Sequence, residues 1–323
     1  MKYRTFGRTG WKISEIGYGM WGMAGWTGWD RKECDYCLDL AVELGCNFFD
    51  TAWGYAEGAS ERILGDLVKR FPGKKLYTAT KVPPANFKWP SKREYTLDEC
   101  FPPEHIIEYT EKSLKNIGVE TIDLLQFHVW EDAWVNDDRW KEALEKLKKD
   151  GKIRAAGISI NRWEPENSLE TIKDGHIDAV QVIYNIFDQA PEDKLFPLCE
   201  QENIGVIARV PFDEGTLTGT FTKETTFPKD DWRSTYFVPE NLHSSVEHAD
   251  RLKPVVPENM TMPEMALKFI LGNKTVSTTI PGMRREKHVR ANIGVSDSAP
   301  IEQALLNKLR EHRWDRQPTA WSQ

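Results

Sequence analysis

No apolar run in this chain approaches the roughly 20 residues that a membrane-spanning helix needs. Its start, MKYRTFGRTGWKIS, lacks the sustained apolar segment of a secretory signal. Both absences point to a cytoplasmic protein without a membrane partner. Cationic excess is missing as well: 43 Lys and Arg stand against 50 Asp and Glu, a formal charge of −7. Nucleic acid is therefore disfavoured as a partner, because binding a phosphate backbone draws on clustered positive charge. Cysteine is sparse and odd in number, with Cys34, Cys37, Cys46, Cys100 and Cys199 in 323 residues, which suits reduced thiols and not a disulfide framework. Cys34 and Cys37 form a C-x-x-C inside the helical pattern RKECDYCLDLAVEL, but no second cysteine pair completes a metal site, so core thiols and no metal are expected. A Walker loop is absent. The glycines of GYGMWGMAGWTG also fall at the wrong intervals for the G-x-G-x-x-G of a doubly wound nucleotide fold.

Short apolar runs alternate with longer amphipathic segments along nearly the whole chain. Eight runs read as strands: 14–19, 46–52, 75–82, 121–129, 152–160, 178–186, 203–212 and 274–282. Helical periodicity recurs at 31–44, 59–70, 103–117, 138–150, 164–173, 191–202, 260–271 and 284–293. Continuous apolar strands, as opposed to alternating ones, indicate parallel strands covered by helices. Eight such units predict an α/β fold, a single (β/α)8 TIM barrel over 1–323, whose functional groups gather at the C-terminal strand ends. The first 13 residues read as an extra hairpin turning at GRTG, and 295–323 as a terminal helix and tail. Two long connections, 83–103 and 213–258, read as functional loops at the mouth.

On that barrel Asp50 ends the second strand, Lys81 the third and His128 the fourth, and Tyr55 follows Asp50 in FFDTAWGYAEGASE. Singly, each has an ordinary explanation as a cap, a solvated strand end or a half-buried ring. Four ionisable or phenolic groups on one rim fit that explanation poorly. A lysine beside a tyrosine hydroxyl lowers the phenol pKa, and a buried aspartate keeps the lysine charged. Tyr55 then serves as a proton donor, and His128 steadies a carbonyl oxygen. No poised nucleophile accompanies them, so the set suits carbonyl reduction with hydride from a cofactor.

FFDTAWGYAEGASE, TATKV, DLLQFH and GKIRAAGIS resemble the main segments of the aldo-keto reductases, in the family's order and over about 290 residues. The resemblance implies a (β/α)8 barrel that binds NADP(H), less often NAD(H), with a catalytic tetrad at Asp50, Tyr55, Lys81 and His128. It further implies a nicotinamide carboxamide held by Ser159, Gln181 and Asn161, the last displaced by one residue from the family position. Where the family stacks an aromatic ring on the nicotinamide stands Arg209, expected to reach toward an anion. Gly215, Leu217 and Gly219 in GTLTG match the loop over the pyrophosphate. The resemblance puts Arg284 at the 2′-phosphate, with Gly282 where many relatives carry a lysine or serine and His288 where they carry a further arginine. Asn292 matches the adenine contact, without the acidic neighbour often paired with it.

Thirteen tryptophans are many. Trp21, Trp53 and Trp130 are the expected walls of a pocket for a small carbonyl substrate. Two other classes remain open at this level. One is a cofactor-binding regulatory protein of the kind that serves as an auxiliary channel subunit. The other is a barrel hydrolase pairing Asp50 with Glu57 or Asp213.

Overall fold

The structure, a computed structural model, describes residues 1–26 and 28–322. Ten strands form: β1 (Tyr3–Phe6), β2 (Trp11–Ser14), β3 (Tyr18–Gly19), β4 (Phe48–Asp50), β5 (Tyr77–Val82), β6 (Ile122–Phe127), β7 (Ile153–Ser159), β8 (Ala179–Ile183), β9 (Gly205–Arg209) and β10 (Val276–Thr279). The last eight pair in parallel in chain order, as the eight apolar runs predict. The seam between β10 and β3 closes through bridges of Ile16 with Thr279 and Gly19 with Gly282. At that seam Gly17 N donates to Thr279 O (2.8 Å) and Gly19 N to Pro281 O (3.1 Å). A Cβ on Gly19 would stand 2.5 Å from Ile280 O, so closure requires glycine there.

Helices cover the outside: α1 (Arg31–Glu43), α2 (Ala59–Arg70), α3 (Leu97–Cys100), α4 (Pro103–Ile117), α5 (Arg139–Lys149), α6 (Leu169–Asp174), α7 (Leu195–Gln201), α8 (Arg233–Tyr236), α9 (Pro239–Leu252), α10 (Met262–Gly272), α11 (Glu286–Gly294) and α12 (Gln303–Arg310). Local chemistry starts several of them: Asp30 accepts from Glu33 N at α1, Thr261 from Glu264 N at α10, and Pro103 opens α4. Two helices begin later than their periodicity predicts. Trp163 takes φ +58 and Pro165 follows, which delays α6 to Leu169. A short 3-10 turn at Ala190–Glu192 precedes α7. The long connections carry α3, and α8 with α9, and the tail after α12 returns to the mouth, where Trp314 N donates to Phe187 O at 2.8 Å.

The β1–β2 hairpin seals the barrel floor. Phe6, Trp11 and Ile13 pack on Phe48, Ala79, Leu124, Ala155, Ala179 and Ile207, the lowest inward side chains of successive strands. Phe6 is fully buried, and a Cβ on Gly205 would lie 2.6 Å from its ring. All five cysteines are free and buried. Burial raises the Cys34 thiol and pushes Cys37 up to about 11, so the C-x-x-C is a core feature. Phe6→Ala should open a cavity under the barrel and cost about 3–5 kcal/mol. The check is the chemical-denaturation midpoint, and an unchanged midpoint would show that the hairpin plugs nothing.

Candidate active site

Side chains on a strand alternate in direction, so the positions two residues beyond the apolar floor point inward again. They are Asp50, Lys81, Gln126, Gly157, Gln181 and Arg209, a polar layer resting on an apolar one. Within it Lys81 Nζ donates to Asp50 Oδ1 (2.6 Å) and to Thr51 O (2.8 Å), and reaches the Tyr55 hydroxyl at 3.4 Å. The other Asp50 oxygen accepts from Gln126 Nε2 (3.0 Å) and Gln181 Nε2 (2.9 Å). Asp50 and Lys81 are 2% and 1% exposed, so the carboxylate replaces its lost water with three side-chain donors. His128 stands edge-on to Tyr55, with ring centroids 5.5 Å apart, and its buried Nδ1 has no hydrogen-bond partner among the described residues. Asp50, Tyr55, Lys81 and His128 therefore converge.

The electrostatics differ from the sequence expectation in one respect. Burial raises the Tyr55 phenol above its ordinary value, and Lys81 only partly offsets that, with Asp50 opposing it. Burial works against the Lys81 ammonium, yet Asp50 and Tyr55 together hold it above the ordinary lysine value. His128 is driven well below the histidine range by burial, then by Lys81 and Arg209. The site thus holds a protonated phenol beside a neutral imidazole.

These groups open into a cleft of about 570 Å³, lined also by Gly19, Trp21, Trp26, Trp89, Gly215, Gly282 and Arg284. It shares Trp21, Tyr55, Trp89, His128, Arg162, Gln181 and Arg209 with a neighbouring chamber of about 340 Å³ that adds Ser159, Trp232, Tyr236 and Trp321. Arg209 Nη2 donates to Ile160 O (3.0 Å) while its buried Nε is unpaired among the described residues. Burial, then Arg162, lowers its pKa to about 10. Arg284 lies 5.2 Å over the Trp26 ring at the lip, just before α11. Its neighbour Arg285 is paired with Glu33 of α1.

Several expected residues stand elsewhere. Trp130 is completely buried among Phe127, Trp134 and Trp140, with its indole N–H on Thr171, so it is core and no pocket wall. Trp53 turns to Tyr109 and Phe87, with centroids at 4.7 and 6.1 Å, and does not line the cleft. Asn161 lines the chamber, but its amide nitrogen is taken by Ser91 Oγ and Glu131 Oε1, both at 2.9 Å. Leu217 is fully buried, Gly219 packs near Met262, and Gly215 alone of the three lines the cleft. Asn292 lies on the buried side of α11 with Val289 and Ile293, while His288 is exposed. The carboxylate pair required of a hydrolase is not formed: Asp213 is bound by Arg316 (2.7 Å) and Glu57 is exposed.

Three participants escaped the sequence reading. Gln126 bonds Asp50, and its inward parity with Leu124 was the available signal. Arg162 pairs with Glu214 (2.6 Å) and stacks on Tyr236 at 4.8 Å. Trp232 reaches Trp21 at 5.0 Å from the second long connection. Contacts between residues this far apart in sequence leave no local pattern. Asp50→Asn should strand the buried Lys81 charge and cost about 3–5 kcal/mol at neutral pH. The lysine pKa would then fall below its unfolded value, so the unfolded chain binds the extra proton and the loss shrinks as pH rises toward the lysine range. Unfolding midpoints across pH test this; a pH-independent deficit would separate Asp50 from the Lys81 charge.

Residues 15–313 match the model of the Aldo/keto reductase family. The chain is similar to the NADH-specific methylglyoxal reductase of Escherichia coli, 29% identical over 91% of this chain and 93% of the relative. It is also similar to the aldo-keto reductase yakc [NADP(+)] of Schizosaccharomyces pombe, 28% identical over 93% and 88%. Among solved structures, the glycerol dehydrogenase AKR11B4 from Gluconobacter oxydans superposes with a TM-score of 0.80 at 26% identity, covering 99% of this chain and 98% of that one. With the eight-stranded barrel and the convergence of Asp50, Tyr55, Lys81 and His128 at its mouth, these matches place the chain in the aldo/keto reductase family of oxidoreductases.

Proposed function

We propose that this protein, acting as one domain over 1–323, reduces an aldehyde or ketone with hydride from a bound nicotinamide cofactor, NADP(H) in preference to NAD(H). The observation that carries the reading is a phenol and a neutral imidazole facing one cleft, with a buried ammonium 3.4 Å behind the phenol. A carbonyl oxygen placed between Tyr55 and His128 meets two groups able to donate a hydrogen bond. As negative charge grows on that oxygen, Tyr55 gives up its proton, and Lys81 steadies the phenolate that remains. Asp50 keeps Lys81 charged. In the reverse direction the phenolate accepts the alcohol proton.

The residues around the cleft fit a dinucleotide. Its volume lies in the usual range for ligand sites. Gln181 spends its amide nitrogen on Asp50 and Gln126, which leaves the amide oxygen for the nicotinamide carboxamide beside Ser159. Gly215 and its neighbours border the cleft as a backbone wall for the pyrophosphate, and Arg284 stands before the N-terminus of α11, where an anion is favoured. Arg209, partly desolvated, faces the same region as a donor to an anion or a polar oxygen. The nicotinamide supplies the hydride when bound. Trp21 and Trp89 flank Tyr55 and His128 as apolar walls for the substrate.

Arg284 carries the cofactor preference, because it lines the cleft just before α11. The relatives divide on this point, one being named NADH-specific and one for NADP(+). Tyr55→Phe should retain cofactor affinity and lower kcat/KM across an aldehyde panel by about 10²-fold or more; unchanged turnover would remove Tyr55 from its role. Arg284→Ala should weaken NADPH by about tenfold, and NADH by less, in a fluorescence titration; equal losses would show that it does not read the 2′-phosphate. Because Tyr55 is raised and His128 lowered, both keep their reduction-ready protonation through the ordinary histidine range near pH ~6.5. The kcat/KM for reduction should be flat there, and a step at that pH would assign His128 a charged role.

A further inference from the structure

Residues 210–215 follow β9 in an unusual backbone: Val210 (φ +57), Asp213 (φ +47) and Glu214 (φ +56) are all left-handed. A β-branched valine in that region is an outlier, and such conformations persist only where the surroundings over-determine them. Three side chains do so. Asn185 Nδ2 donates to Val210 O (3.1 Å), Arg162 Nη2 to Glu214 (2.6 Å), and Arg316 Nη2 to Asp213 (2.7 Å). The last comes from the C-terminal tail, 103 residues away in sequence.

Arg316 is itself closely held. Its side chain is 4% exposed, it pairs also with Asp188 (2.5 Å), and its guanidinium lies 4.7 Å from the Trp163 ring and 4.5 Å from that of Trp314. Trp314 in turn stacks flat on His248 of α9, with centroids 3.9 Å apart. Beyond Arg316, Thr319 N donates to Ser322 Oγ (2.7 Å), and the turn sets Trp321 against Tyr236, centroids 5.7 Å apart. Trp321 and Ser322 wall the chamber that contains Tyr55 and His128.

We propose that Arg316 is a positioning residue that ties the tail, and with it the Trp321 wall, to the 213–219 loop at Asp213. Docking of the tail on the substrate side is then coupled to binding on the cofactor side. This rests on the reading of that loop as a pyrophosphate wall. Asp213 is 2% exposed, so without Arg316 it becomes an uncompensated buried anion in the loop that borders the cofactor's diphosphate. The left-handed backbone also loses one of its three restraints. A single contact thus acts on both halves of the cleft, and the influence is reciprocal.

The test compares the parent with Arg316→Ala, Arg316→Lys and Asp213→Asn. Nicotinamide affinity is read by protein fluorescence, and hydrogen exchange is followed over 314–322. Arg316→Ala should weaken NADPH by about tenfold and raise the carbonyl KM, while single-turnover reduction at saturation stays near the parent rate. Arg316→Lys should fall between them. Asp213→Asn should speed exchange in the tail without any ligand present. NADPH affinity in Arg316→Ala within about twofold of the parent, or unchanged tail exchange in Asp213→Asn, would overturn the coupling. If Arg316→Ala does not fold, Arg316→Lys and Asp213→Asn decide by the same two readouts. A parent chain that binds neither NADPH nor NADH would sink the cofactor reading and the coupling with it, whereas binding by the parent and equal binding by Arg316→Ala sinks the coupling alone.

Discussion

The polar layer of the barrel depends on the buried ion pair of Lys81 with Asp50. Neither charge would be tolerated alone at that depth, and each satisfies what the other lacks: Asp50 accepts from Lys81, Gln126 and Gln181, while Lys81 donates to Asp50 and Thr51 and approaches Tyr55. Strand parity puts all of these side chains inward, one step above an apolar floor sealed by Phe6, Trp11 and Ile13. The floor excludes water from below. What this layer presents beneath the Tyr55 hydroxyl is the Lys81 ammonium.

That arrangement also explains why the phenol is raised and not lowered. Lysine proximity argues for an acidic tyrosine, but desolvation of the phenolate is the larger effect, and the aspartate that keeps Lys81 charged also opposes ionisation of Tyr55. A raised phenol holds its proton until negative charge appears on a neighbouring oxygen. It is thereby suited to donating on demand and not to standing ionised.

The mouth is built from parts that are remote in sequence. Trp21 follows β3, Trp89 lies in the first long connection, Trp232 in the second, and Trp321 in the tail. Their common feature is closeness in space, through rings that meet at about 5–7 Å, the usual separation of aromatic pairs. This is also why, of the three aromatic walls expected from sequence, Trp21 lines the cleft and Trp53 and Trp130 do not. Trp53 and Trp130 adjoin Asp50 and His128 along the chain, yet beyond a strand end the chain turns, so neighbours in sequence face different ways. Trp130 turned into the core beneath the loops, and Trp53 toward Tyr109 of α4.

The sequence by itself determined the barrel and four of the groups at its mouth, because both follow from local period. Apolar runs of strand length alternating with 3.6-residue patterns define βα units, and the charged or phenolic residues that end those runs must lie on one rim. The short delay of α6 and α7 came from backbone features at Trp163 and Pro191 that periodicity does not register. Only the tertiary structure decided the rest: that Gln126 and Gln181 share Asp50, that Asn161 is spent on Ser91 and Glu131, that Arg162 holds Glu214, and that Arg316 of the tail reaches Asp213. Those contacts join segments separated by 30 to 131 residues. Which donor meets which carboxylate across such distances is fixed by strand register, barrel closure and the path of loops, none of which leaves a periodic mark in the chain.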